Sequence, residues 1–103
     1  MPPDVIYVAD QIPHAPDGPP ISIGNRTKQT FVIDGRQFVG GDVYGNRSGF
    51  LPSEDAAGWP VVYREYDTSP YTPGVPRGTN RIVIGTDGSR YFTNDHYETF
   101  TKF

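Results

Sequence analysis

Four side chains in the second half of this 103-residue chain carry reactive groups of complementary kinds: Glu65, Arg77, Arg81 and His96. A carboxylate can accept a proton, an imidazolium can deliver one, and two guanidinium groups can hold and neutralise an anion between them. That set suffices, without a metal, for a phosphodiester whose nucleophile is built in, as the 2′-hydroxyl of RNA is. A base takes the hydroxyl proton, an acid protonates the departing 5′-oxygen, and cations stabilise the phosphorus centre. Guanidinium suits the last task better than ammonium because it stays charged and binds two oxygens at once. Each residue also has an ordinary structural use. A glutamate between tyrosines is commonly solvent-facing or ion-paired, and Arg77 and Arg81 could be its partners at little gain in stability. His96, following Asn94-Asp95, could simply cap a turn.

For the four to meet, neighbouring strands must present them. Residues 60–67, PVVYREYD, read as a strand with Val61, Tyr63 and Glu65 on one face and Val62, Arg64 and Tyr66 on the other. Residues 68–79 form a loop holding Thr-Pro-Gly and Pro-Arg-Gly, and 80–85, NRIVIG, form the next strand, with Arg81 and Val83 sharing a face. The turn Thr86-Asp87-Gly88-Ser89 leads into RYFT, Asn94-Asp95-His96-Tyr97 forms a further turn, and ETFTKF forms a last strand. In an antiparallel meander these positions can converge on one sheet face.

The first half reads less regularly. Val5-Ile6-Tyr7-Val8 has the look of a strand, and the prolines at 13, 16, 19 and 20 indicate a surface loop. Asp34-Gly35 between TFVI and RQFV marks a hairpin with a type I′ turn. Residues 40–52 read as a Gly-rich loop, and SEDAA at 53–57 as one helical turn capped by Ser53. There is no internal repeat, so residues 1–103 are expected to form one domain.

Composition narrows the class. Twelve Gly and eleven Pro favour turns and short strands over long helices, while 14% aromatics allow a modest chain to bury enough area. The absence of Cys excludes disulfides and thiol chemistry and suits a reducing compartment, and two His leave no dense metal cluster. No apolar run approaches membrane-spanning length, and MPPDVIYVAD lacks the features of a signal peptide. A net charge of −3 predicts weak background affinity for polyanions, although a cleft holding a few Arg can still take one phosphate.

Three stretches carry a resemblance. YREYDTSPYTPGVPRGTNRIVIG, DGSRYFTNDHYETF and YGNRSGFLP, in that family's order over residues 43–103, resemble segments of the microbial ribonucleases, the family of barnase and the streptomycete guanyl-specific enzymes. The resemblance implies an α+β, mostly β fold built on an antiparallel twisted sheet. It also implies an endoribonuclease that needs no cofactor and makes a 2′,3′-cyclic phosphate, then a 3′-phosphate. By position Glu65 matches the general base, His96 the general acid, and Arg77 and Arg81 the phosphate-binding pair. Tyr97 matches a tyrosine lining the active site, and Tyr44, Asn46 and Arg47 match the base-recognition loop. Implied partners are single-stranded RNA, with no DNA or membrane, and an acidic immunity or inhibitor protein if the domain is a toxin. A monomer, secreted or delivered into a target-cell cytoplasm, is expected.

Three departures matter. Ser48 stands where the family has a guanine-reading Glu, which predicts a weakened or relaxed guanine preference, and Glu54 could substitute only from a shifted loop. The prolines after residue 9 forbid the family's N-terminal helix there, so that helix is expected to be reduced or absent. Either a loop and an extra hairpin replace it or the chain starts late. The disulfide of the secreted streptomycete enzymes is missing. The competing expectation is a non-catalytic β module that binds single-stranded RNA or sugars through its many tyrosines.

Overall fold

A computed structural model describes residues 1–103. Its centre is a seven-stranded antiparallel sheet whose strands follow one another in chain order: β1 Asp17–Ile23, β2 Arg26–Ile33, β3 Arg36–Tyr44, β4 Tyr63–Asp67, β5 Arg81–Gly85, β6 Arg90–Thr93 and β7 Thr101–Lys102. One helix, α1, precedes the sheet at Pro3–Gln11. The α+β, mostly β architecture with a reduced N-terminal helix agrees with the expectation from sequence.

The run Val5–Val8 is therefore helical and not a strand. Four β-prone residues carry no decisive period, and the longer pattern settles it. Val5, Val8 and Ala9 are buried with Ile12 packed beside them, the i, i+3, i+4, i+7 stripe of a helix laid on an apolar surface. Pro3 occupies the first turn, where its missing N–H costs nothing, and Asp4 sits near the positive end of the helix dipole. Pro13 belongs to the following single 3₁₀ turn, Ile12–His14, and ends the α-helix.

The proline-rich segment is likewise not a surface loop. Gly18-Pro19-Pro20 lies within β1, at the edge of the sheet, where the ladder shifts register between Gly18 and Ile21. An edge strand with a bulge is where proline is tolerated, because one row of its backbone groups has no neighbour to bond. The extra hairpin is thus β1–β2, closed by Gly24-Asn25 next to the pair Ile23↔Arg26. The Asp34-Gly35 hairpin forms as expected, both residues having the positive φ (52° and 75°) that a type I′ turn demands.

Glycines 40 and 41, read from sequence as loop, lie inside β3. Val39 and the residues before it pair with β2, and Gly40 to Tyr44 pair with β4 across a bulge between Gly40 and Asp42. A Cβ at Gly40 would stand 2.8 Å from the Tyr66 Cα and 2.8 Å from a Phe31 ring carbon, so close approach of neighbouring strands explains the residue. Residues 53–57 form no helical turn. Ser53 caps nothing; the Asp55 carboxylate accepts from the Ala57 and Trp59 amides at 2.9 Å each and folds the loop back on itself.

The sheet buries apolar groups on both faces. On one, α1 covers Phe31, Phe38, Ile33 and Ile82. On the other, Leu51, Tyr63, Val83 and Tyr91 are covered by Tyr97, Phe100 and the loop after β3. The predicted alternation of β4 holds: Tyr63 enters the second core, Tyr66 packs on the first, and Glu65 shares the face of Tyr63.

Candidate active site

Beside the second core, on the same sheet face, lies a cleft of about 420 Å³ lined by Glu65, Arg77, Arg81, His96 and Tyr97 from the C-terminal half and by Ile23, Arg26 and Lys28 from the β1–β2 hairpin. The four residues singled out for chemistry therefore share one pocket, with Tyr97 among them.

Register explains the strand contributions. Glu65 faces Val83 and Asp67 faces Arg81 across the β4–β5 ladder, so Glu65, Asp67 and Arg81 project from one face. Asp67, which the sequence reading passed over, organises the cations. It is 3% exposed. Its carboxylate accepts from Arg77 Nε and Nη2 at 2.7 Å each and lies 3.1 Å from Arg81 Nε. Arg81 Nη1 donates to the Gly78 and Asn80 carbonyls. What remains unpaired is Nη1 of Arg77 and Nη2 of Arg81, on two side chains that line the same cleft. Arg77 lies in the loop before β5, so this fork gives an otherwise free side chain a fixed direction, and the same hydrogen bonds raise its pKa further. The signal was in the sequence: Glu65-Tyr66-Asp67 puts a second carboxylate on the face of Glu65 two residues on.

His96 and Tyr97 come from the turn after β6, and both have positive φ, 54° and 75°. For Tyr this is a rare and strained conformation. The turn is held by a dense local network. Asp95 accepts from the Glu98 and Thr99 amides at 3.2 and 2.9 Å and from the hydroxyls of Thr93 and Thr99. The buried Thr93 hydroxyl in turn accepts from the Tyr97 amide at 3.0 Å, and the His96 amide donates to the Thr79 carbonyl at 3.1 Å. These bonds hold the Asp95 carboxyl down at about 2, the Thr99 hydroxyl contributing most. Burial, and next the Glu65 carboxylate beside it, push the Tyr97 hydroxyl well above its usual range.

The proposed recognition residues are placed differently. The Tyr44 ring stacks on Tyr97 at 4.8 Å between centroids, bordering the cleft without lining it. The Asn46 side chain both donates to the Leu51 carbonyl (2.8 Å) and accepts from its amide (3.2 Å), closing the loop after β3. Arg47 and Ser48 are exposed on that loop. Asn46 and Arg47 are not brought into the cleft with the four reactive groups. Lys28 and Arg26, which sequence reasoning did not reach, are brought there by the β1–β2 hairpin. No three His, Asp or Glu side chains converge as a metal-binding group.

Such a cleft offers two free guanidinium edges to a phosphate, and a carboxylate and an imidazole line the same space. Comparison with known proteins agrees in kind. A family model described as ribonuclease matches residues 6–103. A protein named ribonuclease from Bacillus intermedius is 44% identical over 64 residues, covering 62% of this chain and 36% of the relative. Guanyl-specific ribonuclease St from Saccharopolyspora erythraea is 44% identical over 61 residues, covering 58% of this chain and 54% of its own length. A ribonuclease from Heyndrickxia coagulans is 42% identical over 64 residues, covering 62% and 53%. The matched segment thus spans between about a third and a half of these curated relatives. With the family model extending over nearly the whole sequence, this chain belongs to the ribonuclease family.

Proposed function

We propose that the chain is a metal-independent endoribonuclease acting on single-stranded RNA. The observation that carries this reading is the convergence of Glu65, Arg77, Arg81 and His96 on one cleft. Glu65 takes the proton from the 2′-hydroxyl as its oxygen bonds to phosphorus. His96, as imidazolium, gives a proton to the 5′-oxygen as the P–O5′ bond breaks. The free edges of Arg77 and Arg81 stabilise the pentacoordinate phosphorus between them. The product is a 2′,3′-cyclic phosphate. Water then opens it to a 3′-phosphate, with His96 as base and Glu65 as acid.

Guanine preference is weakened in this reading. A carboxylate accepts from both N1–H and N2–H of guanine, and the Ser48 hydroxyl cannot do so as an anion. Tyr44, Asn46 and Arg47 remain the recognition segment, with Asn46 shaping the loop so that its backbone can meet a base. A cationic cleft on a chain of net charge −3 also fits an acidic inhibitor protein, as a toxin domain delivered into a cytoplasm would need.

The test is digestion of RNA in EDTA with mass analysis of the ends. Cyclic phosphates are expected from the wild type, and Glu65→Gln and His96→Ala should each lower kcat by about 10²–10⁴-fold. Retention of full activity by either variant would remove the mechanism. The missing recognition carboxylate favours a second reading, a non-catalytic module that binds RNA or sugars through tyrosines. That reading predicts binding without turnover, and a larger loss from Tyr44→Ala than from His96→Ala.

A further inference from the structure

We infer that a hollow on the α1 face of the sheet, opposite the catalytic cleft, binds a guanine base, with Asp17 and Arg64 each holding one of its edges. The inference goes beyond the ribonuclease reading and stands without it, because it concerns the other face of the sheet and is tested by binding.

The hollow has a volume of about 360 Å³. It forms beyond the end of α1, where the sheet lacks bulk. Ile12 and Ala15 line it from the helical segment, and Gly40 and Gly41 line it from β3. A Cβ at Gly40 would stand 2.8 Å from the Phe31 ring, and one at Gly41 would stand 3.1 Å from Gln29 Oε1. The Tyr66 ring packs edge-on against Phe31, with centroids 5.6 Å apart. Backbone without side chains beside two aromatic rings gives a flat ring a surface to lie on.

The polar groups around this surface are almost unused. The side chains of Asp17, Gln29 and Tyr66 line the hollow without a hydrogen bond inside the protein, and neither Asp17 nor Arg64 has an ion-pair partner. Arg64 makes one bond, from Nη1 to the Gly41 carbonyl at 2.7 Å. That bond draws the guanidinium from β4 toward β3 and leaves the edge formed by Nε and Nη2, two parallel donors, free. Asp17 stands on β1, two strands from β3, so two ladder spacings, roughly 10 Å, separate its strand from the carbonyl that holds Arg64. Burial pushes the Tyr66 hydroxyl up, the Arg64 charge pulls it down and the Asp17 charge pushes it up again, so both charges act on one group in the hollow.

A ligand that satisfies both ends presents two N–H donors to the carboxylate and two acceptors to the guanidinium. Guanine does so, with N1–H and N2–H on one edge and O6 and N7 on the next. Adenine and cytosine would each set a ring-nitrogen acceptor against the carboxylate beside their single amino group. Uracil has one donor between two acceptors. A neutral base also suits a pair of charges that sum to zero.

The test titrates nitrogen-15-labelled protein with GMP, IMP, 7-deaza-GMP and AMP. Binding is read at the Gly41 and Ala15 backbone amides and at the Gln29 side-chain amide. All four nucleotides share the phosphate, so any binding at Arg77 and Arg81 is common to them. IMP lacks the N2 amino group, and 7-deaza-GMP lacks the N7 acceptor. GMP should move these signals saturably, and each of the two analogues should bind about tenfold more weakly, the size of one hydrogen bond to a charged group. AMP should bind more weakly still. In Asp17→Ala the difference between GMP and IMP should vanish, and in Arg64→Ala that between GMP and 7-deaza-GMP. Each substitution cancelling only its own analogue is a coupling that a general loss of affinity does not produce. A 2′-O-methyl oligouridine with one central guanosine, against its all-uridine control, separates the sources of the base. Signals moved by this strand but not by GMP assign the site to RNA, and signals moved by GMP assign it to the free nucleotide as well. The proposal is overturned if GMP and AMP bind alike at these signals, or if neither GMP nor the strand moves them. Cleavage of RNA is read separately, and its failure touches only the ribonuclease reading.

Discussion

One buried carboxylate does for this cleft what no arginine in it could do alone. Arg77 and Arg81 would repel each other and hang from a loop and a strand end. With Asp67 between them they become a fixed pair lining one cleft. The cost of removing that anion follows from burial. Asp67→Asn leaves two largely buried guanidinium groups facing a neutral amide, and loss of one partner from a buried ion pair costs about 3 kcal/mol or more. The urea midpoint should fall accordingly with an unchanged slope, and KM for RNA should rise as the two arginines lose their common direction. A variant as stable as the wild type would show that solvent already screens this cluster.

At the scale of the element, the turn 94–100 joins structure to chemistry. Two consecutive residues in left-handed conformation, His96 and Tyr97, are held there by Asp95, Thr93 and Thr99. The Asp95 carboxyl is depressed to about 2 by the hydrogen bonds it accepts, whereas in the unfolded chain it titrates near the ordinary aspartate value of about 3.9. The folded state thus binds its proton less readily than the unfolded state does. The stability it contributes is complete above about pH 4 and disappears as pH falls toward about 2. Asp95→Asn should therefore be less stable than wild type at pH 6, with the gap closing by pH 2.5, as read by thermal melts across that range. The same variant should lose activity at pH 6 beyond its loss of stability, because the imidazole no longer has one orientation. A gap that persists unchanged into acid would assign the effect to something other than the charge.

Over the whole molecule, the sheet separates tasks by face. Helix α1 covers one side, and the cleft and the aromatic cluster of Tyr44, Tyr97 and Phe100 lie on the other. Val8 is buried in the helix-side core and does not line the cleft. Val8→Ala should destabilise the fold by about 1–2 kcal/mol through lost burial and a small cavity. Activity well below the melting temperature should stay near that of the wild type, as paired melting and kinetic measurements would show. A fall in kcat at such temperatures would mean that α1 supports the cleft through the strands. The division also accounts for a modest hydrophobic content: each strand from β4 to β6 serves two small cores, so aromatic and β-branched residues on both faces share the work of 103 residues.

Much of this was legible because it is local. Alternation placed Glu65 with Tyr63, the Asp34-Gly35 pair specified its turn, and the types of Glu65, Arg77, Arg81 and His96 admitted a chemistry that the resemblance over residues 43–103 singled out from their ordinary structural uses. What local pattern could not decide is what depends on partners distant in the chain. Val5–Val8 is a helix because an apolar sheet face waits for an i, i+3, i+4 stripe, and four residues carry too little period to say so. Gly40 belongs to a strand because Tyr66 and Phe31 approach it too closely for a side chain. Asp67 becomes the anchor of both arginines, and Arg26 a wall of the cleft, only once seven strands are laid side by side. Side-chain chemistry is written residue by residue, but which groups share a space is set by register and packing, and those are properties of the assembled sheet.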